Sequence, residues 1–146
     1  MTEAEKVAMP AWTKIVNGLL LVWNLFGLAV FVMAMTVFSS REAMSEAGLN
    51  EEQINLTLST PGWVNIAFGV AVVFGVLGCL ALIWKSRLAP PLLAVSMLGV
   101  IAQNVYMYLL SDTIRIMGVG VSPVVIAVAV ALVPYAVFCK SRGWLK

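Results

Sequence analysis

The polar side chains inside the apolar stretches of this chain are amides, hydroxyls and aromatic rings. Asn17 and Asn24 are seven residues apart, so a helix places both on one face together with Phe31. A second helical face carries Ser96, Gly99, Gln103 and Tyr106. An amide both donates and accepts hydrogen bonds, and an aromatic face can stack on a sugar ring. These residue types predict a pocket for an uncharged, polyhydroxylated ligand. Its candidate residues are Asn24, Gln103, Asn104, Trp23, Tyr106 and Tyr108.

The same amides have a simpler interpretation as hydrogen bonds between helices. Such bonds inside a membrane contribute about 0.6–2 kcal/mol each. A pocket requires Asn24 and Gln103 to converge on a void, whereas helix association requires their side chains to bond neighbouring helices directly. The sequence leaves both interpretations open.

The residues that are missing exclude most kinds of catalysis. The chain has no histidine, and no charged residue lies deep within an apolar stretch, so a proton relay or cation site there is not expected. Cys79 and Cys139 do not form a Cys-x-x-Cys pair. We therefore expect no enzyme activity, no metal site and no cofactor.

Four charge-free stretches must position these side chains. They are residues 15–40, 53–84, 88–111 and 116–139, in a chain that is 62% hydrophobic and 11% charged. A helix needs roughly 20 apolar residues to cross a ~30 Å hydrocarbon core. The sequence thus predicts an all-α integral membrane protein, a single-domain antiparallel bundle of four transmembrane helices. The spans are expected at about 11–38, 61–84, 88–110 and 121–139, with an external polar loop at about 39–60.

The distribution of basic residues predicts the orientation. Lys and Arg in short loops favour the cytoplasmic side. With both termini in the cytoplasm, seven of the nine basic residues lie inside, and only Arg41 and Arg115 lie outside. The first apolar run is longer than the apolar core of a signal peptide, which has roughly 7–15 residues, so it is expected to be retained. We expect a multi-pass protein of the cytoplasmic (inner) membrane.

The external loop has two open interpretations. Ser39 with Glu42, and Asn50 with Gln53, have the spacing of a capping box, which favours one or two short helices at the membrane surface. A solvated loop with a helical turn is the alternative. Farther along, Pro134 falls inside the fourth span and is expected to kink it.

Small residues indicate how the helices pack. In span two, Ala67, Ala71, Gly75 and Cys79 form an i, i+4 stripe that lets backbones approach closely. We expect this span at the centre of the bundle or at a dimer interface. Gly18 and Gly69 belong to a pattern shared by spans one and two at an offset of 51 residues. An internal duplication and a generic membrane-helix pattern both explain it.

Several motifs together resemble a known group of proteins. They are Pro-x-Trp-x-x-Ile and Trp23–Gly27 in span one, Pro61-x-Trp63 in span two, and the turn at Lys85-x-Arg87. The chain resembles small bacterial four-helix inner-membrane proteins loosely labelled "sugar transporter", over nearly its whole length. The resemblance implies transport but supplies no binding residues.

Two functions follow as expectations. The first is transport of an uncharged polar solute such as a sugar, by a homodimer, because four helices enclose little space. The alternative is a non-transporting accessory or assembly protein whose polar residues only pack helices. The expected partners are the lipid bilayer, a second copy of the chain and a small neutral polar ligand, and no nucleic acid is expected.

Overall fold

A computed structural model describes residues 9–36, 39–120 and 122–145. This part of the chain is helical and has no β-strand. Its α-helices, in chain order, are α1 (Ala11–Thr36), α2 (Arg41–Glu46), α3 (Glu51–Ser59), α4 (Gly62–Ile83), α5 (Ala89–Val105), α6 (Thr113–Met117) and α7 (Ser122–Ser141). A π-helical turn, Tyr106–Leu110, continues α5.

Four helices are long and apolar enough to cross a membrane: α1, α4, α5 with its π turn, and α7. An all-helical chain with four membrane-length helices is therefore confirmed. Residues 37, 38 and 121 of the expected spans lie outside the described residues. The fourth helix continues through Pro134 and ends at Ser141, two residues beyond the expected boundary.

The turn between α4 and α5 is short because α4 ends in a Schellman motif. Lys85 adopts a left-handed conformation with φ of 58°. The Ser86 amide donates to the Ala81 carbonyl at 2.7 Å, and the Lys85 amide donates to Leu82 at 3.1 Å. Glycine usually occupies this left-handed position, and here lysine takes it. The chain therefore reverses within a few residues, and α5 packs along α4.

Helix α4 contacts both α1 and α5, and α5 in turn contacts α7. The closest approach is at Gly99 of α5. A Cβ atom there would lie 2.7 Å from the Ala67 carbonyl oxygen and 2.9 Å from the Ala71 amide nitrogen. Two members of the small-residue stripe of α4 thus meet a glycine of α5, as close backbone packing requires.

One end of the helices is closed by an apolar cluster that we call the terminal end. It brings together residues near the start of α1, the end of α4, the start of α5 and the end of α7, including Met9, Leu82, Ala89, Cys139 and Trp144. These five side chains are all buried. Apolar side chains therefore fill this end of the described structure.

The opposite end, which we call the connector end, carries the three short helices. The Asn50–Gln53 capping box at the start of α3 is confirmed, whereas the cap of α2 is Ser40 and not Ser39. Met44 and Ile54 are each 1% exposed, so the two helices share a small core. The external loop therefore forms two short helices, as the first of the two interpretations predicted.

Ion pairs and a hydrogen bond link the short helices at the connector end. The Arg41 guanidinium donates to Glu51 and to Asn55, each at 2.8 Å. Arg115 of α6 lies 3.1 Å from Glu52 of α3 and 3.6 Å from Asp112, and the carboxylates of Asp112 and Glu52 raise the pKa of the Arg115 guanidinium. All these charges are exposed, so each pair stabilises the fold by at most about 1 kcal/mol.

Candidate functional site

A cavity of about 300 Å³ lies among the four long helices. Helix α1 contributes Trp23, Asn24, Phe26, Gly27 and Val30 to its walls. Helix α4 contributes Phe68, Ala71 and Val72. Helix α5 and its π turn contribute Leu93, Ser96, Val100, Gln103, Asn104 and Met107. Helix α7 contributes Ser122, Val125, Val128, Ala129 and Leu132.

Asn24 is held on the α1 wall by two hydrogen bonds. Its amide nitrogen donates to the Leu20 carbonyl at 2.8 Å and to Cys79 Sγ at 3.3 Å. The side chain fits because position 75 of α4 is glycine, where a Cβ would lie 2.1 Å from Asn24 Oδ1. The small residues Gly75 and Cys79 therefore make room for a polar side chain of the neighbouring helix.

Gln103 lies on the α5 wall of the same cavity and is half-buried. Within the described part of the chain, its side-chain amide forms no hydrogen bond, in contrast to those of Asn24 and Asn104. A Gln amide has two donors and an acceptor. Gln103 is thus the cavity residue with the largest free hydrogen-bonding capacity.

The other polar side chains of the cavity join helices. Ser96 donates to the Ala71 carbonyl at 2.6 Å, which links α5 to α4. Asn104 is buried, donates to the Val100 carbonyl at 2.8 Å, and accepts from the Ser122 hydroxyl at 3.2 Å. Asn104 therefore links α5 to the start of α7. Hydrogen bonds between helices thus account for Ser96 and Asn104, and the described residues show none for the Gln103 side chain.

The cavity separates α1 from α7 in the half of the bundle nearer the connector end. Toward the terminal end, the two helices meet where the Tyr135 hydroxyl donates to Asn17 Oδ1 at 2.8 Å. Among the described residues, α1 and α7 otherwise have little direct contact. Phe26 and Val30 line the cavity and yet are 66% and 39% exposed. The α1 wall of the cavity therefore reaches the outer surface of the bundle, beside the gap between α1 and α7.

The two tyrosines of the predicted pocket lie elsewhere. The Tyr106 ring packs edge-on against Trp63 of α4, with centroids 5.7 Å apart. Tyr108 is 39% exposed and does not line the cavity. Tyr106 begins the π turn and Tyr108 lies within it. A π turn has more residues per turn than an α-helix, so the residues after Tyr106 point in other directions than α-helical spacing predicts.

The predicted packing residues differ in their surroundings. A Cβ at Gly69 would lie 3.0 Å from the Phe31 ring, so Gly69 accommodates an α1 side chain. Gly18 has open space at its Cβ position. Gly78, which the sequence did not single out for packing, accommodates Leu93, whose Cδ2 would lie 2.5 Å from a Cβ. Nothing in the local sequence distinguishes Gly78 from Gly18.

The sequence-based set also omitted Ser96 and Ser122. The spacing of Ser96 from Gln103 indicates a shared face, whereas only contact with Asn104 identifies Ser122. The described residues contain no group of three or more His, Cys, Asp or Glu side chains that could hold a metal ion. No charged side chain lines the cavity in the part of the chain that the structure describes. The arrangement can therefore accept a neutral molecule and hold it by a few hydrogen bonds.

No protein-family model, curated protein or solved structure matches this chain.

Proposed function

We propose that this chain is an inner-membrane protein of transport type that binds a neutral ligand among its four long helices. In this proposal the helices form an antiparallel bundle with both termini in the cytoplasm, as the distribution of basic residues favours. The observation that carries it is the convergence of Asn24 and Gln103 on one cavity lined by uncharged residues. The resemblance to proteins labelled "sugar transporter" agrees with this class of function.

The absence of charge from the described cavity walls favours a neutral ligand. An ion moved into such a site loses its hydration and gains no partner of opposite charge, which is strongly unfavourable. A neutral ligand loses less hydration free energy on entering the cavity, and a hydrogen bond to the Gln103 amide compensates part of that loss. The cavity is built from one chain, so ligand binding does not depend on the proposed homodimer.

Binding of neutral probes tests this proposal. The unfolding temperature of the detergent-purified protein is measured with glucose, glycerol, 1-decanol, decanoate and decylammonium. A ligand that binds only the folded state stabilises it by RT ln(1 + [L]/Kd). We expect at least one neutral probe to raise the unfolding temperature and both ions to have no specific effect. Uptake of the stabilising probe into reconstituted vesicles then tests transport.

Two variants locate the site. Asn24→Leu and Gln103→Leu remove amides from the cavity at similar side-chain size, and Val105→Leu on the exposed face of α5 is the control. We expect both cavity variants to weaken stabilisation by the probe and the control to preserve it. If neither cavity variant alters the effect, or if no neutral probe stabilises the protein, the binding proposal is refuted.

A second candidate is an accessory or assembly protein. It is supported by the amides that join helices, chiefly Asn104 with Ser122 and Asn17 with Tyr135. Such a protein needs no ligand. It is favoured if binding and uptake are absent while the purified protein is folded and associates with a partner protein of the same membrane.

A further inference from the structure

We infer that the ligand is a neutral amphiphile, a hydrocarbon chain with one or two hydrogen-bonding groups, which enters the cavity from the bilayer between α1 and α7. This inference rests on the proposed binding function and names its ligand class. It differs from the sugar that the residue types alone favour.

The supply of free hydrogen-bonding groups limits the ligand to few polar atoms. The Asn24 nitrogen already donates twice, and the Ser96 and Ser122 hydroxyls each donate to a protein oxygen. The groups left to bond a ligand are chiefly the Gln103 amide, the second hydrogen of the Asn104 amide, and side-chain oxygen atoms that can accept a hydrogen bond. A hexose brings five hydroxyl groups, and each one buried without a partner costs about 1–3 kcal/mol. A molecule with a single hydroxyl leaves no such deficit.

The remaining walls are hydrocarbon. Val125, Val128, Ala129 and Leu132 of α7 also line the cavity. The α5 wall runs from Leu93 to Met107, a length of roughly 21 Å at 1.5 Å per residue. A wall of this length fits an extended chain of about ten non-hydrogen atoms better than a compact polar ring.

Two observations support the route between α1 and α7: packing at the terminal end and an α1 wall that reaches the lipid-facing surface. Leu82, Leu93 and Cys139 pack at the terminal end, and each is almost fully buried. The gap between α1 and α7 opens instead toward the surface formed by Phe26 and Val30, which lies in the apolar part of α1 and so faces lipid. A molecule dissolved in the bilayer reaches this gap without crossing a polar surface.

Photolabelling tests the inference directly. The probe is 1-decanol with a diazirine in its chain, added to the full-length protein in lipid nanodiscs, illuminated and mapped by peptide mass spectrometry. We expect saturable adducts on the cavity-lining segments of both α1 and α7. Excess unlabelled 1-decanol should abolish them, whereas excess glucose or decanoate should not. Gln103→Leu should raise the probe concentration for half-maximal labelling about threefold to tenfold, the effect of one hydrogen bond, and Val105→Leu should leave it unchanged.

The outcomes separate this inference from the binding proposal. Displacement of the probe by glucose would overturn the inference that the ligand is an amphiphile, but it would support a site for a neutral ligand. Equal displacement by decanoate overturns the requirement for neutrality. Labelling that does not saturate and lies only on the lipid-facing surface overturns the inference. If glucose and glycerol also fail to stabilise the protein, the binding proposal falls with it.

Discussion

Replacing Gly99 by alanine should separate α4 from α5. The added Cβ would lie 2.7 Å from the Ala67 carbonyl oxygen, 2.9 Å from the Ala71 nitrogen and 3.1 Å from the Ala71 Cα atom. All three are backbone atoms, so no side-chain rotation relieves the contact. Ordinary van der Waals contact begins at 3.4 Å, so the backbones must move apart by about 0.7 Å, the difference between 3.4 and 2.7 Å.

The cost of that movement can be worked out from what it disturbs. Overpacking a close-packed contact by one methyl group typically costs about 1–3 kcal/mol. The Ser96 hydroxyl donates to the Ala71 carbonyl across the same contact at 2.6 Å. This hydrogen bond contributes about 0.5–1.5 kcal/mol to stability, and stretching it would remove part of that contribution. Alanine regains about 0.5–1 kcal/mol as the better helix former, so we expect Gly99→Ala to lower the free energy of unfolding by about 1–3 kcal/mol.

Gly18→Ala is the matched control. It makes the same substitution inside a long helix, but a Cβ at this position meets no atom within 4 Å. Alanine favours the helical backbone by about 0.5–1 kcal/mol over glycine in water, so the stability should stay the same or rise slightly. Unfolding in mixed micelles with increasing sodium dodecyl sulfate, followed by circular dichroism, measures both variants. Equal unfolding midpoints for the two variants would refute the close approach of α4 and α5 at Gly99.

Three further predictions concern other contacts. Tyr135→Phe removes the hydroxyl that bonds Asn17, so it should lower the free energy of unfolding by about 0.5–1.5 kcal/mol. Adding Asn17→Leu to Tyr135→Phe should cause little further loss of stability. If the losses from the two substitutions add fully in the same unfolding assay, this hydrogen bond is contradicted. Arg115→Gln should change the global stability by less than about 1 kcal/mol, because its pair with Glu52 is exposed. Hydrogen exchange should nevertheless speed up in α6, and unchanged exchange there would argue against the pairing. Cys139 is fully buried and should react with a water-soluble maleimide only after unfolding, so rapid labelling of the folded protein would contradict the packed terminal end.

The long helices were predictable because the bilayer imposes a length and a composition on each of them. A charge-free run of this length has few alternatives to a helix, since every backbone polar group in lipid must be satisfied internally. The inward face of α1 followed from helical spacing alone. Asn17 is buried, Asn24 lines the cavity, and the Phe31 ring packs against Phe68 with centroids 5.2 Å apart.

The candidate site was only partly predictable. Helical spacing placed Gln103 and Tyr106 on one face, but the Tyr106 ring packs against Trp63 of α4, a contact between helices that spacing within α5 does not reveal. Spacing within one helix also cannot show whether an amide is free. Asn104 and Gln103 are adjacent and chemically alike, yet contact with Ser122 of α7 engages Asn104 alone. The gap between α1 and α7 depends on how all four helices pack, which the order of residues along one helix does not encode.

The most direct measurement of the binding site is a crystal structure of the protein grown with 10-bromo-1-decanol. The bromine atom supplies an anomalous signal that locates the chain independently of the protein density. We predict one bromine position inside the cavity, with the ligand hydroxyl within hydrogen-bonding distance of the Gln103 amide. A collapsed cavity in which the Gln103 amide bonds a neighbouring helix, with bromine only on the outer surface, would contradict the proposed site.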